Sequence, residues 1–344
     1  MLERRLFIKS GATVVASLAL PNTYISKVFA AAGALAAHGV YSAPGLSFAA
    51  IFLADALGTW KKNGLTAEVS QVHGGPLAMA ALTNGESAFA AVASSDPVIS
   101  WDKGIKTQAV AVFTGSLALQ ATAHKDWLAK TGKSLESPIE ERLKSFKGAR
   151  IGVATIGGGP AQYLRYALRK VDIDPERDVT ILATGFGATR MAALRTKQVD
   201  VTVGDAPEAD EVTEEGFGSL FINFGHDVPE FREFAYTVLS VLPETASKNP
   251  ELVRRIVHSI KDANETIHKD VEAAVNILMP VYNNKVDAKI LKRAILRDQK
   301  AYTPGCLMTQ AMWENNFAAA LATGMISKKP PIAEGQFWTN QFLS

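Results

Sequence analysis

Short apolar runs alternate with amphipathic stretches along most of the chain, and this alternation constrains the fold more than any other feature of the sequence. Each run leads into a turn rich in Gly, Ser or Asp and then into residues with the apolar spacing of a helix. Strands that alternate with helices in this way predict an α/β fold. The predicted strands cover residues 36–41, 65–72, 88–93, 108–114, 149–154, 179–183, 199–203, 220–224 and 236–242.

The length and charge of the chain narrow the possible functions. Its 344 residues suffice for two medium domains, and a charged stretch at residues 125–147 separates two blocks of the pattern. The 36 Lys and Arg residues nearly balance 34 Asp and Glu residues. We therefore expect no nucleic-acid partner, because phosphate contacts require a surplus of basic side chains.

Signatures of common enzymes and metal sites are absent from the sequence. It contains no GxSxG elbow, Walker A loop or HExxH motif, and the six His residues lack the spacing of metal ligands. The one cysteine, Cys306, excludes an intrachain disulfide, and we interpret it as a packing residue because no base accompanies it. We predict no catalytic residue, metal site or cofactor.

The first 32 residues have the three-part pattern of an export signal. Arg4 and Arg5 precede Phe-Ile-Lys, an uncharged run follows at residues 10–26, and alanine-rich sequence comes next. The paired arginines resemble a twin-arginine translocation signal, and we expect cleavage among residues 30–32 and a periplasmic mature protein. An ordinary secretory signal or an uncleaved anchor are the alternatives, although Pro21 interrupts a run already short of a bilayer span.

Candidate ligand-binding residues lie in the turns that follow predicted strands. In α/β sheets, ligands bind beyond the carboxyl ends of the strands, where helix N-termini offer free N–H groups. Gly, Ser and Asp are also common in ordinary turns and caps, which is the alternative interpretation for each residue. The candidates are Tyr41, Ser42, Ser47, Gly74, Gly75, Ser94, Ser95, Asp96, Ser116, Thr155, Gly157, Gly158, Gly159 and Asp205.

Two candidate carboxylates indicate the chemistry of the ligand. Asp96 and Asp205 would repel nitrate or a sulfonate and would suit the hydrogen-bond donors of an amine, an amidine or a pyrimidine. No Lys or Arg occurs in the predicted turns, and Arg190 is the nearest candidate counter-charge unless it is a solvated helix residue. Aromatic residues could stack on a ring or could simply pack in the core; they are Tyr41, Phe48, Trp101 and Phe186.

Several segments, in order along the chain, resemble the solute-binding proteins of ABC importers in the nitrate/sulfonate/taurine class, which includes binders of thiamine-pyrimidine precursors. Residues 60–69 (WKKNGLTAEV) resemble a segment after the first helix of that family. Residues 81–89 (ALTNGESAF) resemble another, with Ser87 and Ala88 where an acidic residue is usual. Residues 143–153, 155–161, 192–201 and 248–253 resemble further family segments.

This resemblance implies a two-lobed periplasmic-binding fold of type II. Lobe one would comprise residues 33–123 and 236–344, and lobe two would comprise residues 124–235. Hinges near residues 121–123 and 234–237 would close the lobes around a ligand. The family further implies a monomer that delivers a small polar or anionic organic molecule to an ABC permease and its ATPase.

Two other functions stay open at this stage. The fold could serve a periplasmic sensor that reports a ligand to a membrane receptor, because fold alone does not fix function. An enzyme similar to pyrimidine-precursor synthases is less well supported. Those enzymes resemble this group but use a Cys-rich motif and a pyridoxal-type lysine, and this chain has one cysteine and an export signal.

Overall fold

The computed structural model describes residues 34–282 and 285–344, and the predicted signal at residues 1–32 lies outside them. Two five-stranded mixed sheets form the centres of two lobes. The strands are β1 (Leu35–Tyr41), β2 (Leu65–Gln71), β3 (Phe89–Ala93), β4 (Gln108–Thr114), β5 (Leu119–His124), β6 (Arg150–Val153), β7 (Thr180–Ala183), β8 (Val201–Asp205), β9 (Gly218–Asn223) and β10 (Thr237–Val241). The sheet orders are β2-β1-β3-β10-β4 in lobe one and β7-β6-β8-β5-β9 in lobe two.

Both sheets follow one plan: four strands run in one direction, and one antiparallel strand, which arrives from the other lobe, lies between the last two of them. In lobe one, β1 pairs in parallel with β2 and β3, whereas β10 is antiparallel to β3 and β4. In lobe two, β6 pairs in parallel with β7 and β8, whereas β5 is antiparallel to β8 and β9. The carboxyl ends of the parallel strands therefore form one edge in each lobe.

Helices cover the faces of both sheets, because central strands such as β3 and β10 are buried on both sides. In lobe one they are α1 (Ala49–Ala56), α2 (Thr59–Lys62), α3 (Gly75–Thr83), α4 (Ser95–Asp102), α11 (Pro243–Lys248), α12 (Pro250–Lys269), α13 (Val271–Val281), α14 (Ala288–Asp298) and α15 (Gln310–Ala322). In lobe two they are α5 (Lys125–Thr131), α6 (Ile139–Lys144), α7 (Gly159–Arg169), α8 (Ala188–Arg195), α9 (Glu208–Glu214) and α10 (Phe224–Asp227).

The long helix α12 shows how the sequence pattern builds the core of lobe one. Its buried residues recur at helical spacing and include Val253, Ile256, Val257 and Ile260, which belong to one apolar cluster with α1. The apolar spacing of residues 48–63 predicts one continuous helix, whereas the structure has α1 and α2 there. The helix is interrupted at Gly58, which adopts the left-handed φ of +66° that glycine tolerates.

The first crossing between the lobes lies earlier than the sequence indicated. β4 belongs to the first sheet and β5 to the second, so the chain crosses at residues 115–118, and residues 119–123 belong to lobe two rather than lobe one. Sequence analysis missed β5 because its residues, Leu-Gln-Ala-Thr-Ala-His, follow β4 after only four residues. The second crossing runs beside the first, since the Phe234 and Tyr236 amides donate to the carbonyls of Gly115 and Thr114.

Within residues 34–282 and 285–344, no helix is both long enough and apolar enough to cross a membrane.

Candidate functional site

A small cavity lies between the lobes, where the carboxyl ends of β1, β3, β6 and β8 approach one another. We call it the inner cavity; its volume of about 50 Å³ accommodates about three to five water molecules. Its lining comes from both lobes, as expected for a ligand site at this edge of α/β sheets. The lining residues are Ser42, Ala43, Phe48, Gly74, Gly75, Pro76, Ala93, Asp96, Ala154, Thr155, Gly158, Gly159, Pro160, Phe186, Asp205 and Tyr236.

Asp96 is the carboxylate that lobe one presents to the inner cavity. It lies in the first turn of α4, and its carboxyl group rests against Gly75 at the start of α3. A Cβ atom at Gly75 would lie 2.0 Å from Asp96 Oδ2, so only glycine allows this approach. The turn between β2 and α3 therefore carries Gly75 because Asp96 occupies the space of a side chain.

The carboxyl group of Asp96 has no hydrogen-bond partner among the described residues. The Ser100 hydroxyl donates to the backbone carbonyl of Asp96 and not to its carboxyl group. Burial raises the pKa of Asp96 to about 7, because no charge or donor compensates the lost hydration. Asp96 can therefore accept a hydrogen bond from a ligand as a carboxylate, or donate one as a carboxylic acid, near neutral pH.

Lobe two contributes the glycine-rich turn between β6 and α7. Gly158 and Gly159 lie at the N-terminus of α7, an 11-residue helix whose first turn has no acidic side chain. The partial positive charge of this helix end suits an acceptor or an anionic group of a ligand. Gly159 also lies close to lobe one, since a Cβ there would be 2.5 Å from Ser95 Oγ.

Asp205, at the end of β8, is already engaged by lobe one. Its Oδ1 accepts hydrogen bonds from Ser47 Oγ at 3.1 Å and from the Tyr236 hydroxyl at 3.0 Å. Burial raises the pKa of Asp205 to about 6, and the nearby Arg190 guanidinium and these hydroxyl groups oppose that rise. Asp205 thus differs from Asp96, because its acceptor capacity is partly used inside the protein.

Arg190 serves the structure rather than the inner cavity. Only 3 % of it is exposed, so the alternative that it is a solvated helix residue is wrong. Its Nε and Nη2 atoms donate to the two carboxylate oxygens of Glu208 at 2.8 and 2.6 Å. It packs against Gly204, where a Cβ would lie 2.0 Å from Nη2. The guanidinium is therefore neutralised by Glu208 before any ligand enters.

Phe48, Phe186 and Tyr236 are the aromatic residues of the inner cavity. The other two aromatic candidates pack elsewhere, because Tyr41 meets Phe52 edge-on and Trp101 meets Phe337 edge-on. Sequence analysis missed Tyr236 as a site residue. Its position in the second crossing was the available signal, since a residue between two lobes borders the cleft.

Eight of the 14 sequence candidates line the inner cavity, and ligand contact at these residues stays a prediction. They are Ser42, Gly74, Gly75, Asp96, Thr155, Gly158, Gly159 and Asp205. The other six do not line it, and they are Tyr41, Ser47, Ser94, Ser95, Ser116 and Gly157.

The six remaining candidates lie outside the inner cavity. Ser47 donates to Asp205, Ser94 Oγ lies 3.2 Å from the Tyr163 hydroxyl, and Ser95 is buried behind Gly159. Ser116 lies in the first crossing, where its hydroxyl donates to the Gly225 and Phe231 carbonyls. Gly157 is exposed beside the cavity. Strand-end position alone could not separate these residues from those that face the cleft.

A second, larger space adjoins the inner cavity. This outer cavity, of about 370 Å³, shares Phe186 and Asp205 with the inner one and is lined by both lobes. Its other lining residues include Gly45 of lobe one and Glu208 and Glu211 of lobe two. Gly45, which borders the outer cavity, contacts Asp205, which borders both cavities.

The chain has the two-lobed periplasmic binding protein fold, as the sequence predicted. The chain belongs to the NMT1-like family, whose model matches residues 43–278. A relative from Bacillus subtilis (strain 168), YtlA, provisionally named a binding protein, is 23% identical over 290 residues, which cover 80% of this chain and 78% of YtlA.

Solved structures with similar folds include two binding proteins. The alkanesulfonate-binding protein SsuA from Xanthomonas axonopodis pv. citri, bound to MOPS, has a TM-score of 0.68 and 17% identity over 87% of this chain and 96% of its own. The periplasmic nitrate-binding protein NrtA from Synechocystis PCC 6803 has a TM-score of 0.65 and 14% identity over 86% and 83%. The predicted resemblance to the nitrate/sulfonate class is thereby confirmed.

Proposed function

We propose that this protein is a periplasmic solute-binding protein that holds a small polar organic molecule in the inner cavity and delivers it to an ABC importer. The observation that carries the proposal is the inner cavity itself, which both lobes line at the carboxyl ends of their parallel strands. A ligand there would contact both lobes at once, so binding and closure of the lobes would be coupled.

The charge of the inner cavity supports a ligand with a hydrogen-bond donor rather than nitrate or a simple sulfonate. Among the described residues that line it, Asp96 and Asp205 carry carboxyl groups and none is Lys or Arg. An inorganic anion would face Asp96 without a compensating cation, whereas an N–H group would satisfy that carboxylate. The N-terminus of α7, on the opposite wall, suits an acceptor group of the same ligand.

The aromatic lining supports a flat ligand. Phe48, Phe186 and Tyr236 line the inner cavity. A planar nitrogen heterocycle would combine aromatic contact with donor and acceptor edges, and the small volume limits the enclosed part to few heavy atoms.

Import is the proposed use of this binding, with a permease and an ATPase as partners and a monomer as the transported form. The names of SsuA and NrtA describe binding proteins, and NrtA is called periplasmic. The predicted export signal supports the same compartment. We infer binding without catalysis, and the burial that raises the pKa of Cys306 to about 12 supports the inference, since such a thiol is a poor nucleophile.

A ligand screen tests the proposed function. The mature protein is heated with pyrimidines, amidines, taurine, alkanesulfonates, nitrate and small carboxylates, and hits are titrated by calorimetry. A ligand at about 100 times its Kd should stabilise the protein by about 2.7 kcal/mol. We expect a hit among donor-bearing heterocycles, and binding weakened at least about tenfold by Asp96→Asn.

Asp55→Asn is the matched control, because Asp55 is an exposed aspartate on α1 outside both cavities. Its titration should equal that of the wild type. Tight nitrate or sulfonate binding that Asp96→Asn leaves unchanged would contradict the proposed ligand chemistry. A panel without any hit, extended to the other small metabolites of a periplasmic extract, would contradict the binding function itself.

A further inference from the structure

We propose that Asp205 is a positioning residue that fastens the two lobes together, rather than a residue that recognises the ligand. The fastening contact, which we call the clasp, consists of Gly45, Leu46 and Ser47 of lobe one and of Asp205 and Ala206 of lobe two. This inference rests on the proposed binding function, because the clasp matters to a protein that works by opening and closing.

Three independent contacts form the clasp. The Ser47 hydroxyl donates to Asp205 Oδ1 at 3.1 Å, and the Leu46 amide donates to the Ala206 carbonyl at 3.1 Å. Gly45 lies directly against the Asp205 side chain, where a Cβ would be 2.7 Å from Asp205 Oδ2. A loop of lobe one is thus joined to the end of β8 in lobe two by side chain, backbone and van der Waals contact.

Position 45 requires glycine because the two lobes come into contact there, and not because of backbone strain. Gly45 has φ −72° and ψ 161°, an extended conformation that any residue adopts. Its special property is the missing Cβ, which lets Asp205 approach. A larger residue would be accommodated in an open form and would clash only when the lobes meet, so Gly45 reports specifically on the closed form.

Tyr236 makes the clasp responsive to the hinge. This residue is 2% exposed and lies immediately before β10, at the end of the second crossing. Its hydroxyl donates to the same Asp205 oxygen as Ser47. The clasp therefore joins both lobes and one hinge segment at a single oxygen atom, whereas Asp96 has its carboxylate oxygens free for a ligand.

The place of the clasp gives it a functional consequence. Asp205 borders both cavities, and Gly45, which it contacts, borders the outer one, so we expect the clasp to lie on the route between them. When the clasp forms, a molecule in the inner cavity is cut off from this route. Loss of the clasp should therefore raise the dissociation rate of the ligand more than it lowers the association rate.

The test measures the distance between the lobes without any ligand. Spin labels are attached to Leu77→Cys and Ile156→Cys, which replace residues that are 56% and 49% exposed on opposite sides of the inner cavity. The native Cys306 is buried and should escape labelling. The wild-type background should show a short-distance population that represents the closed form.

Three variants should deplete that population. Ser47→Ala and Asp205→Ala should each lower the ratio of short to long distances about tenfold or more, since a hydrogen bond to a charged group is worth that factor. Gly45→Ala should lower the same ratio because its Cβ would clash with Asp205 in the closed form. The double variant Ser47→Ala with Asp205→Ala should behave like Asp205→Ala alone. Ser70→Ala and Asp55→Ala, at exposed positions of lobe one, are the matched controls and should change nothing.

Specific outcomes would overturn the proposal. A wild type without a short-distance population would show that the clasp does not hold the lobes together. If the ratio of short to long distances is unchanged in all three variants, and thermal unfolding shows that they are folded, the clasp is likewise contradicted. A further variant, Arg297→Met, removes the ion pair between Arg297 of α14 and Asp210 of lobe two, which is 2.7 Å long. If only this variant lowers the ratio of short to long distances, the ion pair and not the clasp holds the lobes together.

This measurement separates the clasp from the proposed function. If the variants open the protein but the screen finds no ligand, the clasp is supported and the proposed binding function is contradicted. If ligand binding depends on Asp96 but the distance between the lobes does not change in Asp205→Ala, the proposed function is supported and the clasp is contradicted.

Discussion

Asp96→Asn should stabilise the protein while it weakens ligand binding, and the size of the stabilisation should depend on pH. Burial raises the pKa of Asp96 to about 7 from its ordinary value of 3.8. The folded protein therefore holds a proton on Asp96 over a pH range in which the unfolded chain has released it. Stability contributed by this group falls as pH rises through that range, by about 1.4 kcal/mol per pH unit, and levels off above pH 7.

The two pKa values give the expected magnitude. The penalty for burying Asp96 is about 1.7 kcal/mol at pH 5 and about 4.3 kcal/mol at pH 8. Asparagine carries no charge at either pH and escapes both penalties. The free-energy difference between Asp96→Asn and the wild type should therefore grow by about 2.6 kcal/mol between pH 5 and pH 8, in favour of the variant.

Urea unfolding of both proteins at pH 5 and pH 8, without ligand, is the assay. Burial also raises the pKa values of Asp205 and Glu211, so both groups contribute to the pH dependence of stability. Their contributions cancel in the difference between variant and wild type, because the substitution leaves their surroundings unchanged. A difference that stays constant within about 0.5 kcal/mol, which is the usual additivity error, would refute the reasoning that Asp96 is a buried carboxylate without a partner.

Three further predictions concern the frame around the site. Arg190→Met should destabilise the protein by about 3–5 kcal/mol, because the Glu208 carboxylate loses its bidentate partner, and urea unfolding measures this. Gly39→Ala should cost about 1–3 kcal/mol in the same assay, since its Cβ would lie 2.1 Å from the Phe89 ring. Cys306 should react with a thiol reagent only when the protein unfolds, and rapid reaction in the native state would contradict its burial.

The fold was predictable because its strands and helices have strong local patterns. β3 and β4 are continuous apolar runs bounded by turns, and α12 has buried residues at clear helical spacing. β5 was not predictable in the same way, because its assignment depends on pairing with β8 and β9, which lie far along the chain. The boundary between the lobes was misplaced for that reason.

The sequence predicted which turns lie near the site, but it did not predict the role of each side chain in those turns. Asp96 and Asp205 both follow strands and look equivalent in the sequence, yet one is free and the other accepts from Ser47 and Tyr236. That difference arises where two distant segments meet across the cleft. The burial of Arg190 depends likewise on Glu208, a partner 18 residues away that only the fold brings close.

A crystal structure of the protein with the strongest hit from the screen would show whether the inner cavity binds the ligand through Asp96. We predict a ligand enclosed between Ser42, Gly75 and Thr155, with a donor atom within about 3.2 Å of an Asp96 carboxylate oxygen. A ligand in the outer cavity alone, or a ligand in the inner cavity that leaves Asp96 bound only to water, would contradict it.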